Sequence, residues 1–275
     1  MRALVCVVFC LGAARLSAGA EQRIVSVGGP VTEIIYALGQ ESFLVGVDTS
    51  SQYPEAATKL PQIGYQRQLG AEGVLSLRPT LIIATEDAGP PATIEQLKAS
   101  GVQVVVIPGP HSIAGVKQKI RAVAHALNCE AKGEQLVRTL ETETAAFATK
   151  FTAQPRVLFI FARGGSVLNV SGEDTAADAM ISLSGGINAV RGYHGYKPLT
   201  PEAAVAAAPE VILISTRGLE SVGGVDKLLA QGGLALTPAG KNRRVIAMDD
   251  LYLLGFGTRT GRAVQELAAR LHEGN

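Results

Sequence analysis

Short apolar runs alternate with longer segments of mixed polarity through the first part of the chain. The apolar runs predict buried strands over residues 24–27, 44–47, 81–84 and 102–107. The segments between them predict helices over residues 30–38, 71–77 and 91–100. Apolar strands that alternate with helices are typical of a parallel sheet covered on both faces. We therefore predict an N-terminal α/β lobe over residues 21–110.

The pattern changes between residues 112 and 150, which contain no proline and little glycine and carry their charges on one face. This stretch predicts one helix up to about residue 128 and a longer helix over residues 130–151. At about 1.5 Å per residue the second helix extends roughly 30 Å, which is long enough to join two lobes rigidly. We predict a helical connector over residues 111–153.

A second series of strands and helices follows the connector. Strands are predicted over residues 157–161, 211–215 and 245–248. Helices are predicted over residues 175–184, 200–207, 225–230 and 261–272. The sequence thus predicts an α/β protein of two lobes, the second over residues 154–275. One long helix joins the lobes, and a ligand cleft lies between them.

The two predicted lobes contain a matching segment. A twelve-residue stretch that begins at Glu72 aligns without a gap on one that begins at Glu202, and Pro79 aligns with Pro209 at the same offset of 130 residues. Each copy reads as a glutamate, a short helix, a proline and a buried strand. General similarity between βα units also explains such a match. The matched glutamates and prolines favour duplicated lobes over a solenoid, whose period is shorter.

The matched glutamates, Glu72 and Glu202, each fall in the first turn of a predicted helix. A carboxylate at that position complements the helix dipole, which is a sufficient structural explanation. One acidic residue placed symmetrically in each lobe also suits docking against two basic pockets of a dimeric partner. The sequence leaves both interpretations open.

Loops at the carboxyl ends of strands are the usual ligand-binding positions of an open α/β sheet. In the first lobe, Tyr65 and Arg67 belong to such a loop. In the second lobe, the candidate loops are residues 162–165, 193–197 and 216–221. Arg163 and Arg217 each follow a predicted strand. A single arginine there is most simply solvated or locally paired, but several together favour an acidic ligand such as a haem propionate, a siderophore carboxylate or a phosphate.

Tyr65 and Arg67 are the residues whose chemistry is most informative. They are two positions apart, so in an extended loop both side chains point to the same side. A free phenol has a pKa of about 10, and a nearby guanidinium or metal favours the phenolate. Phenolate oxygen suits ferric iron, and tyrosine is one of the axial ligands of haem. From spacing alone, a surface tyrosine beside a solvated arginine is the simpler interpretation.

The start of the chain has the organisation of a signal peptide. Arg2 supplies a positive charge, residues 3–14 form an apolar core, and Ala18-Gly19-Ala20 fits a cleavage site. The apolar run is too short for a membrane span. A bulky Phe9 before Cys10 argues against lipoprotein processing. We therefore predict that residues 1–20 are cleaved and that the mature protein is exported and has no membrane span.

Composition narrows the classes of function. After cleavage Cys129 is the only cysteine, so neither an intrachain disulfide nor a cysteine metal cluster is predicted. The chain has 25 lysines and arginines against 24 acidic residues, and a nucleic-acid partner requires a more basic face. The sequence contains no nucleotide-binding glycine loop, H-E-x-x-H or G-x-S-x-G motif. An exported α/β enzyme is therefore the less favoured interpretation.

Five stretches of the chain resemble the periplasmic haemin-binding proteins of bacterial ABC importers. They are residues 23–29, 60–73, 174–179, 195–199 and 253–257. The pattern Gly-Tyr-x-Arg-x-Leu-x-Ala-Glu-Gly over residues 64–73 is fairly specific to that group within the wider cobalamin and siderophore binders. The resemblance covers nearly all of the mature chain. It implies two Rossmann-like lobes, a single spanning helix and little hinge closure.

The resemblance also implies roles for residues in the cleft. Tyr65 is expected to be the axial ligand of ferric haem, and Arg67 is expected to stabilise its phenolate. Some members of the family have a second-lobe histidine as a further ligand, and His194 is the candidate here. Arg163 and Arg217 are the alternatives, as contacts to the propionates.

The same resemblance implies the partner. Glu72 and Glu202 are expected to form salt bridges with arginines of an ABC transporter permease dimer. We therefore expect a monomeric periplasmic protein, not an enzyme, that captures haem and delivers it to the permease. A binding protein for cobalamin or a ferric siderophore is the alternative. One departure from the family is Thr258, where a proline between Gly257 and Arg259 is expected.

Overall fold

The computed structural model describes residues 22–145, 153–163 and 167–273. The predicted signal peptide lies outside these ranges, as do residues 146–152, where the connector helix is predicted to end. The described chain forms two sheets, one from strands within residues 24–107 and one from strands within residues 156–248. The predicted α/β architecture with two lobes is confirmed.

The first sheet contains four parallel strands. They are β1 (Ile24–Val27), β2 (Leu44–Val47), β3 (Leu81–Thr85) and β4 (Gln103–Ile107). Their order is β2-β1-β3-β4, so the chain crosses over between β2 and β3. The central strands β1 and β3 are buried almost throughout, as their continuous apolar sequence predicts for strands covered on both faces.

The helices of the first lobe cover this sheet. They are α1 (Gly29–Ala37), α2 (Ala71–Ser76) and α3 (Pro91–Ala99), with 3-10 helices at Glu41–Phe43 and Glu55–Lys59. Proline lies in the first turn of both α1 and α3, where its missing N–H costs nothing. The chain leaves α1 through Gly39, whose φ of 67° favours glycine. All three α-helices agree with the sequence-based prediction.

Two helices follow the first sheet. They are α4 (Ile113–Ala126) and α5 (Glu130–Ala145), and they pack against each other. The hydroxyl of Ser112 caps α4 by accepting a hydrogen bond from Gly115 N at 3.0 Å. The 16 residues of α5 span about 24 Å. Its remaining predicted length lies outside the described residues.

The second sheet is mixed, with parallel and antiparallel pairs of strands. Its strands are β5 (Arg156–Phe161), β6 (Asn169–Ser171), β7 (Ile187–Asn188), β8 (Tyr196–Pro198), β9 (Val211–Ser215) and β10 (Val245–Met248). The order is β10-β9-β5-β6-β8, and β7 also pairs with β5. β6 runs antiparallel to both neighbours. Strands β6, β7 and β8 escaped prediction because two or three residues are too few to show a periodicity.

Seven helices of the described residues belong to the second half of the chain. They are α6 (Ala176–Leu183), α7 (Pro201–Ala207), α8 (Thr216–Val222), α9 (Val225–Leu229), α10 (Pro238–Lys241), α11 (Asp250–Leu254) and α12 (Thr260–His272), with a 3-10 helix at Leu234–Leu236. Residues 216–221, predicted as a loop, form most of α8. Ser215 starts this helix because its hydroxyl accepts a hydrogen bond from Gly218 N at 3.1 Å.

The lobes are held together by a shared apolar core. The largest cluster of buried side chains includes residues of the first sheet, of α4 and α5, of the second sheet and of α12. Phe159 and Phe256 are the largest of the fully buried side chains. In the part of the chain that the structure describes, no helix is both long enough and apolar enough to cross a membrane.

A buried carboxylate adds a polar contact between the lobes. Glu33 on α1 is only 3% exposed. It accepts hydrogen bonds from Thr258 Oγ1 at 2.6 Å, from Arg259 N at 2.9 Å and from Arg259 Nε at 2.9 Å. A Cβ on Gly257 would lie 2.9 Å from Glu33 Oε1, so glycine is needed there. Thr258 therefore supplies a hydroxyl to Glu33 that the expected proline lacks.

Candidate functional site

A cavity of about 1120 Å³ lies between the two lobes. Typical pockets for small ligands measure roughly 300–1,000 Å³, so this one suits a large ligand. First-lobe residues that line it include Tyr65, Gln66, Arg67, Glu86, Asp87 and Ile107, and the connector contributes His111 and Lys119. Second-lobe residues that line it include Phe161, Arg163, Thr175, Tyr196, Arg217, Leu251 and Leu254. The predicted cleft between the lobes is present, with its walls formed by loops at strand ends.

Tyr65 is held at this cavity by a loop with buried anchors. Ile63 and Leu69 on either side of it are buried. Gly64 has a φ of 92°, which only glycine adopts readily. Residues 65–68 form a turn, closed by a hydrogen bond from Gln68 N to Tyr65 O at 2.8 Å. The loop is thus turned rather than extended as predicted, but the side chains of Tyr65 and Arg67 still meet.

The Tyr65 phenol is surrounded by positive charge. Arg67 Nη1 donates a hydrogen bond to Tyr65 Oη at 2.8 Å. The guanidinium carbon of Arg163, from the opposite lobe, lies 5.7 Å from the centroid of the tyrosine ring. Burial raises the pKa of the phenol, but hydrogen bonding and charge from Arg163 and Arg67 outweigh burial, so the net pKa lies below 10.0. The site therefore stabilises the phenolate more than water does, and a phenolate is an oxygen donor for a hard metal ion.

Arg67 is itself oriented by a carboxylate. Its second guanidinium nitrogen forms an ion pair with Asp87, which follows β3. The side chains of Arg67 and Asp87 are each about half exposed, so their ion pair contributes little to the stability of the fold. Its effect is geometric, because one end of the guanidinium is fixed by Asp87 while the other end donates to Tyr65.

The second lobe contributes an aromatic and cationic wall. Phe161 ends β5, and its ring centroid lies 5.4 Å from that of Tyr196 on β8. The guanidinium carbon of Arg163 lies 4.9 Å from the Phe161 ring centroid. Arg217, in the first turn of α8, donates a hydrogen bond to Gln52 Oε1 of the first lobe at 2.7 Å. Both predicted arginines therefore line the cavity.

His194 lies elsewhere. Its side chain is 75% exposed, and its Nδ1 is 2.6 Å from Asp174 Oδ2. Asp174 and the next glycine, Gly195, line the cavity, but His194 does not. The structure thus brings Tyr65, Arg67, Arg163 and Arg217 together and does not bring His194 to them.

Two further basic side chains line the cavity and were not singled out from sequence as site residues. Lys119 on α4 is buried, and its Nζ donates to Phe256 O at 3.0 Å. The ring centroid of His111 is 5.2 Å from that of Phe256. The sequence itself indicates that Lys119 is buried, because this residue lies between Val116 and Val123 on the apolar face of an amphipathic helix. His111 carries no comparable signal.

The pKa values of these two residues are shifted in the same direction. Burial lowers the pKa of Lys119 to about 8, against the opposing influence of nearby carboxylates. His111 lines the cavity and is accessible to solvent on one side. The partial burial of its imidazole and the positive charge of Lys119 lower its pKa as well. Both groups therefore lose their protons more readily than free side chains do.

Glu72 and Glu202 are remote from the cavity lining. Each is exposed and lies in the first turn of its helix, Glu72 in α2 and Glu202 in α7. The predicted local setting of both glutamates is present. Their exposure leaves both carboxylates accessible to another protein.

A family model described as "Periplasmic binding protein" matches residues 24–252. The chain belongs to this family. Members of this family are solute-binding proteins, so the two-lobed fold and its interlobe cavity correspond to a ligand-binding architecture. The resemblance found in the sequence is confirmed at the level of the family.

Three known proteins show what this chain is similar to. The periplasmic heme-binding protein RhuT from Roseiflexus sp. RS-1 is 51% identical, with a TM-score of 0.89 over 92% of this chain and 98% of that one. The periplasmic heme-binding protein BhuT, in complex with two hemes, is 46% identical, with a TM-score of 0.86 over 91% and 97% of the chains. A vitamin B12-binding protein of Yersinia pseudotuberculosis is 29% identical over 76% of this chain and 75% of that protein.

The donor set of the cavity indicates how a metal would be held there. Among the described residues, no group of three histidine, cysteine or acidic side chains is placed to hold a metal ion. A bare cation therefore has no complete set of protein ligands. Tyr65 offers a single oxygen, which is sufficient when a macrocycle supplies the remaining bonds, as in a haem with a tyrosine axial ligand.

Proposed function

We propose that this protein binds ferric haem in the interlobe cavity and delivers it to an ABC importer of the inner membrane. The observation that carries the proposal is the phenol of Tyr65, held at the cavity wall between Arg67 and Arg163 with a lowered pKa. An iron that already has four porphyrin nitrogens needs only an axial ligand from the protein, and a phenolate can be that ligand. The likeness to RhuT and BhuT supports this ligand over others.

In this proposal the remaining wall residues hold the porphyrin. Phe161, Leu251 and Leu254 offer apolar surface to the macrocycle, and burial of that surface contributes roughly 25 cal/mol per Å². Arg163 and Arg217 offer positive charge to the propionates. The pairing of Arg217 with Gln52 leaves its charge uncompensated, so a propionate can replace that neutral partner.

His194 has the weaker support as an axial ligand. Its contact with Asp174 and its absence from the cavity lining favour the arginines as the second-lobe contacts. A His194→Ala variant should keep the haemin spectrum of the wild-type protein. Loss of that spectrum in the variant would show that His194 is a ligand of the iron.

The export and docking steps are proposed with the same function. Residues 1–20 are removed as a signal peptide, the mature protein acts as a periplasmic monomer, and its lobes follow the boundaries predicted from sequence. Glu72 and Glu202 then dock on basic pockets of a permease dimer. Their exposure on two separate helices, one in each copy of the repeated segment, supports this role. Amino-terminal sequencing of the periplasmic protein tests the cleavage site.

Cobalamin is the second candidate ligand, because several curated relatives are vitamin B12-binding proteins. The two ligands differ in whether their metal can gain a bond from Tyr65. Ferric haem gains a bond from a phenolate, whereas a corrin that carries both axial ligands of its own gains none. A lowered phenol pKa is therefore useful for haem and has no evident use for cobalamin.

Titration of the mature protein with haemin tests the proposal. The wild-type protein should give the Soret band of phenolate-bound high-spin ferric haem, and the end point should also give the number of haems bound. Tyr65→Ala should lose that spectrum and bind about tenfold or more weakly, which corresponds to at least ~1.4 kcal/mol. Tyr36→Phe is the matched control, since Tyr36 lies on α1 and does not line the cavity. Equal spectra for wild type and Tyr65→Ala would refute the proposal, and preferential binding of cobalamin would favour the alternative.

A further inference from the structure

Lys119 is an unusual feature of the cavity wall. It lies in the middle of α4 and is only 4% exposed, yet its side chain lines the cavity. The path of the side chain is open because residue 109 is a glycine. A Cβ on Gly109 would lie 2.5 Å from Lys119 Cε and 3.0 Å from Nζ. The local backbone is therefore shaped around a buried lysine.

The ammonium group is poorly satisfied by the protein. In the described part of the chain its one hydrogen bond is to Phe256 O, at 3.0 Å. An ammonium group has three N–H donors, so two are left for other acceptors. A buried cation with a single neutral partner is costly, and an added anion would offset that cost.

The carboxylates near Lys119 are already engaged elsewhere. Glu86, Asp87 and Glu33 all influence its titration, but none is hydrogen-bonded to it. Asp87 pairs with Arg67, and Glu86 accepts a hydrogen bond from Gly109 N at 3.1 Å. Glu33 accepts hydrogen bonds from Thr258 and Arg259 of the second lobe. Among the described residues, the charges of these three carboxylates favour the ammonium, but none of them accepts a hydrogen bond from it.

We propose that Lys119 forms a binding subsite for a carboxylate of the ligand, separate from the arginines of the second lobe. The proposal rests on the proposed function, in which the ligand carries two propionates. Lys119 lies on α4, which packs against α1 and β4 of the first lobe, whereas Arg163 and Arg217 belong to the second lobe. A ligand with two carboxylates can then be held from both sides of the cavity, and one without carboxylates leaves the ammonium unpaired.

The test compares two ligands that differ only in their carboxylates. Haemin and its dimethyl ester are titrated into wild type, Lys119→Met and Lys119→Gln. Glutamine removes the charge but keeps a polar N–H donor, so the second variant separates the loss of charge from the loss of all polarity. Lys117→Met is the matched control on the same helix, because Lys117 pairs with Glu141 and does not line the cavity.

The expected result is selective. Each Lys119 variant that folds should bind haemin about 10- to 100-fold more weakly, which is typical of the loss of one hydrogen bond to a charged group. Each should bind the dimethyl ester as the wild-type protein does. Equal losses for both ligands would show a merely structural role, and unchanged haemin affinity would show no role; either result overturns the subsite. Wild-type protein that binds neither ligand would refute the proposed function itself.

Discussion

Replacement of Lys119 by methionine is predicted to remove a pH-dependent cost to the stability of the ligand-free protein. Burial lowers the pKa of this lysine from 10.5 to about 8. Below pH 8 the ammonium is charged in both the folded and the unfolded chain, and the folded state bears the full cost of burying it. Between pH 8 and 10.5 the folded protein loses the proton first. The unfolded chain then binds more protons, so stability rises with pH over this window.

The magnitude follows from the size of the shift. A difference of about 2.5 pKa units corresponds to roughly 3 kcal/mol, at about 1.36 kcal/mol per unit. Methionine fills a similar volume but carries no charge, so the stability of the variant lacks this pH-dependent cost. It also leaves Phe256 O without its donor, a loss of about 1–3 kcal/mol that does not change with pH. The pH-dependent difference between the two proteins is therefore the quantity to measure.

Urea unfolding of both ligand-free proteins at pH 7 and pH 10.5 supplies that difference. The stability of the wild-type protein relative to Lys119→Met should increase by roughly 3 kcal/mol from the lower to the higher pH. Groups that do not interact with Lys119 titrate equally in both proteins and cancel. Lys117→Met is the control, since Lys117 is partly exposed on the same helix and pairs with Glu141. Parallel pH dependence of wild type and Lys119→Met would show that burial of the ammonium does not destabilise the folded protein.

Three other predictions follow from the contacts of the site and of the lobe interface. Arg67→Met removes the hydrogen bond to Tyr65 Oη and should raise the phenol pKa, so haemin affinity should reach its plateau at a higher pH; an unchanged pH profile in a titration series would contradict this. Glu33→Gln leaves the largely buried Arg259 without its carboxylate and should destabilise the protein by about 3 kcal/mol or more in urea unfolding, whereas a loss below about 1 kcal/mol would show that the interlobe contact is weak. Glu72→Arg combined with Glu202→Arg should leave haemin affinity unchanged but stop haem uptake through the importer; normal uptake would exclude the docking role.

The first lobe was predictable because its strands are short, apolar and bounded by clear signals. Residues 24–27 and 81–84 are buried on both faces, so their sequence is apolar throughout and reads as strand without ambiguity. In the second lobe, Tyr196, Lys197 and Pro198 form β8 although all three are exposed, so no hydrophobic pattern marks them. Thr216-Arg217-Gly218 looks like a turn and is instead the start of α8, because the Ser215 cap determines the local structure.

The site was predictable where residues close in sequence act together. Tyr65 and Arg67 are two positions apart, and their hydrogen bond needs only a local turn. Asp87 orients Arg67 from the loop after β3, and Arg163 approaches from the other lobe; both contacts depend on how the sheets are arranged. His194 was chosen for its loop, and its position beside Asp174 depends on short strands that the sequence does not reveal.

A crystal structure of the protein with haemin bound would show directly which atom holds the iron. We expect Tyr65 Oη to be bonded to the iron and Arg67 Nη1 still to donate a hydrogen bond to that oxygen. A structure in which the iron is bonded to another group, while the Tyr65 hydroxyl faces solvent, would contradict this expectation.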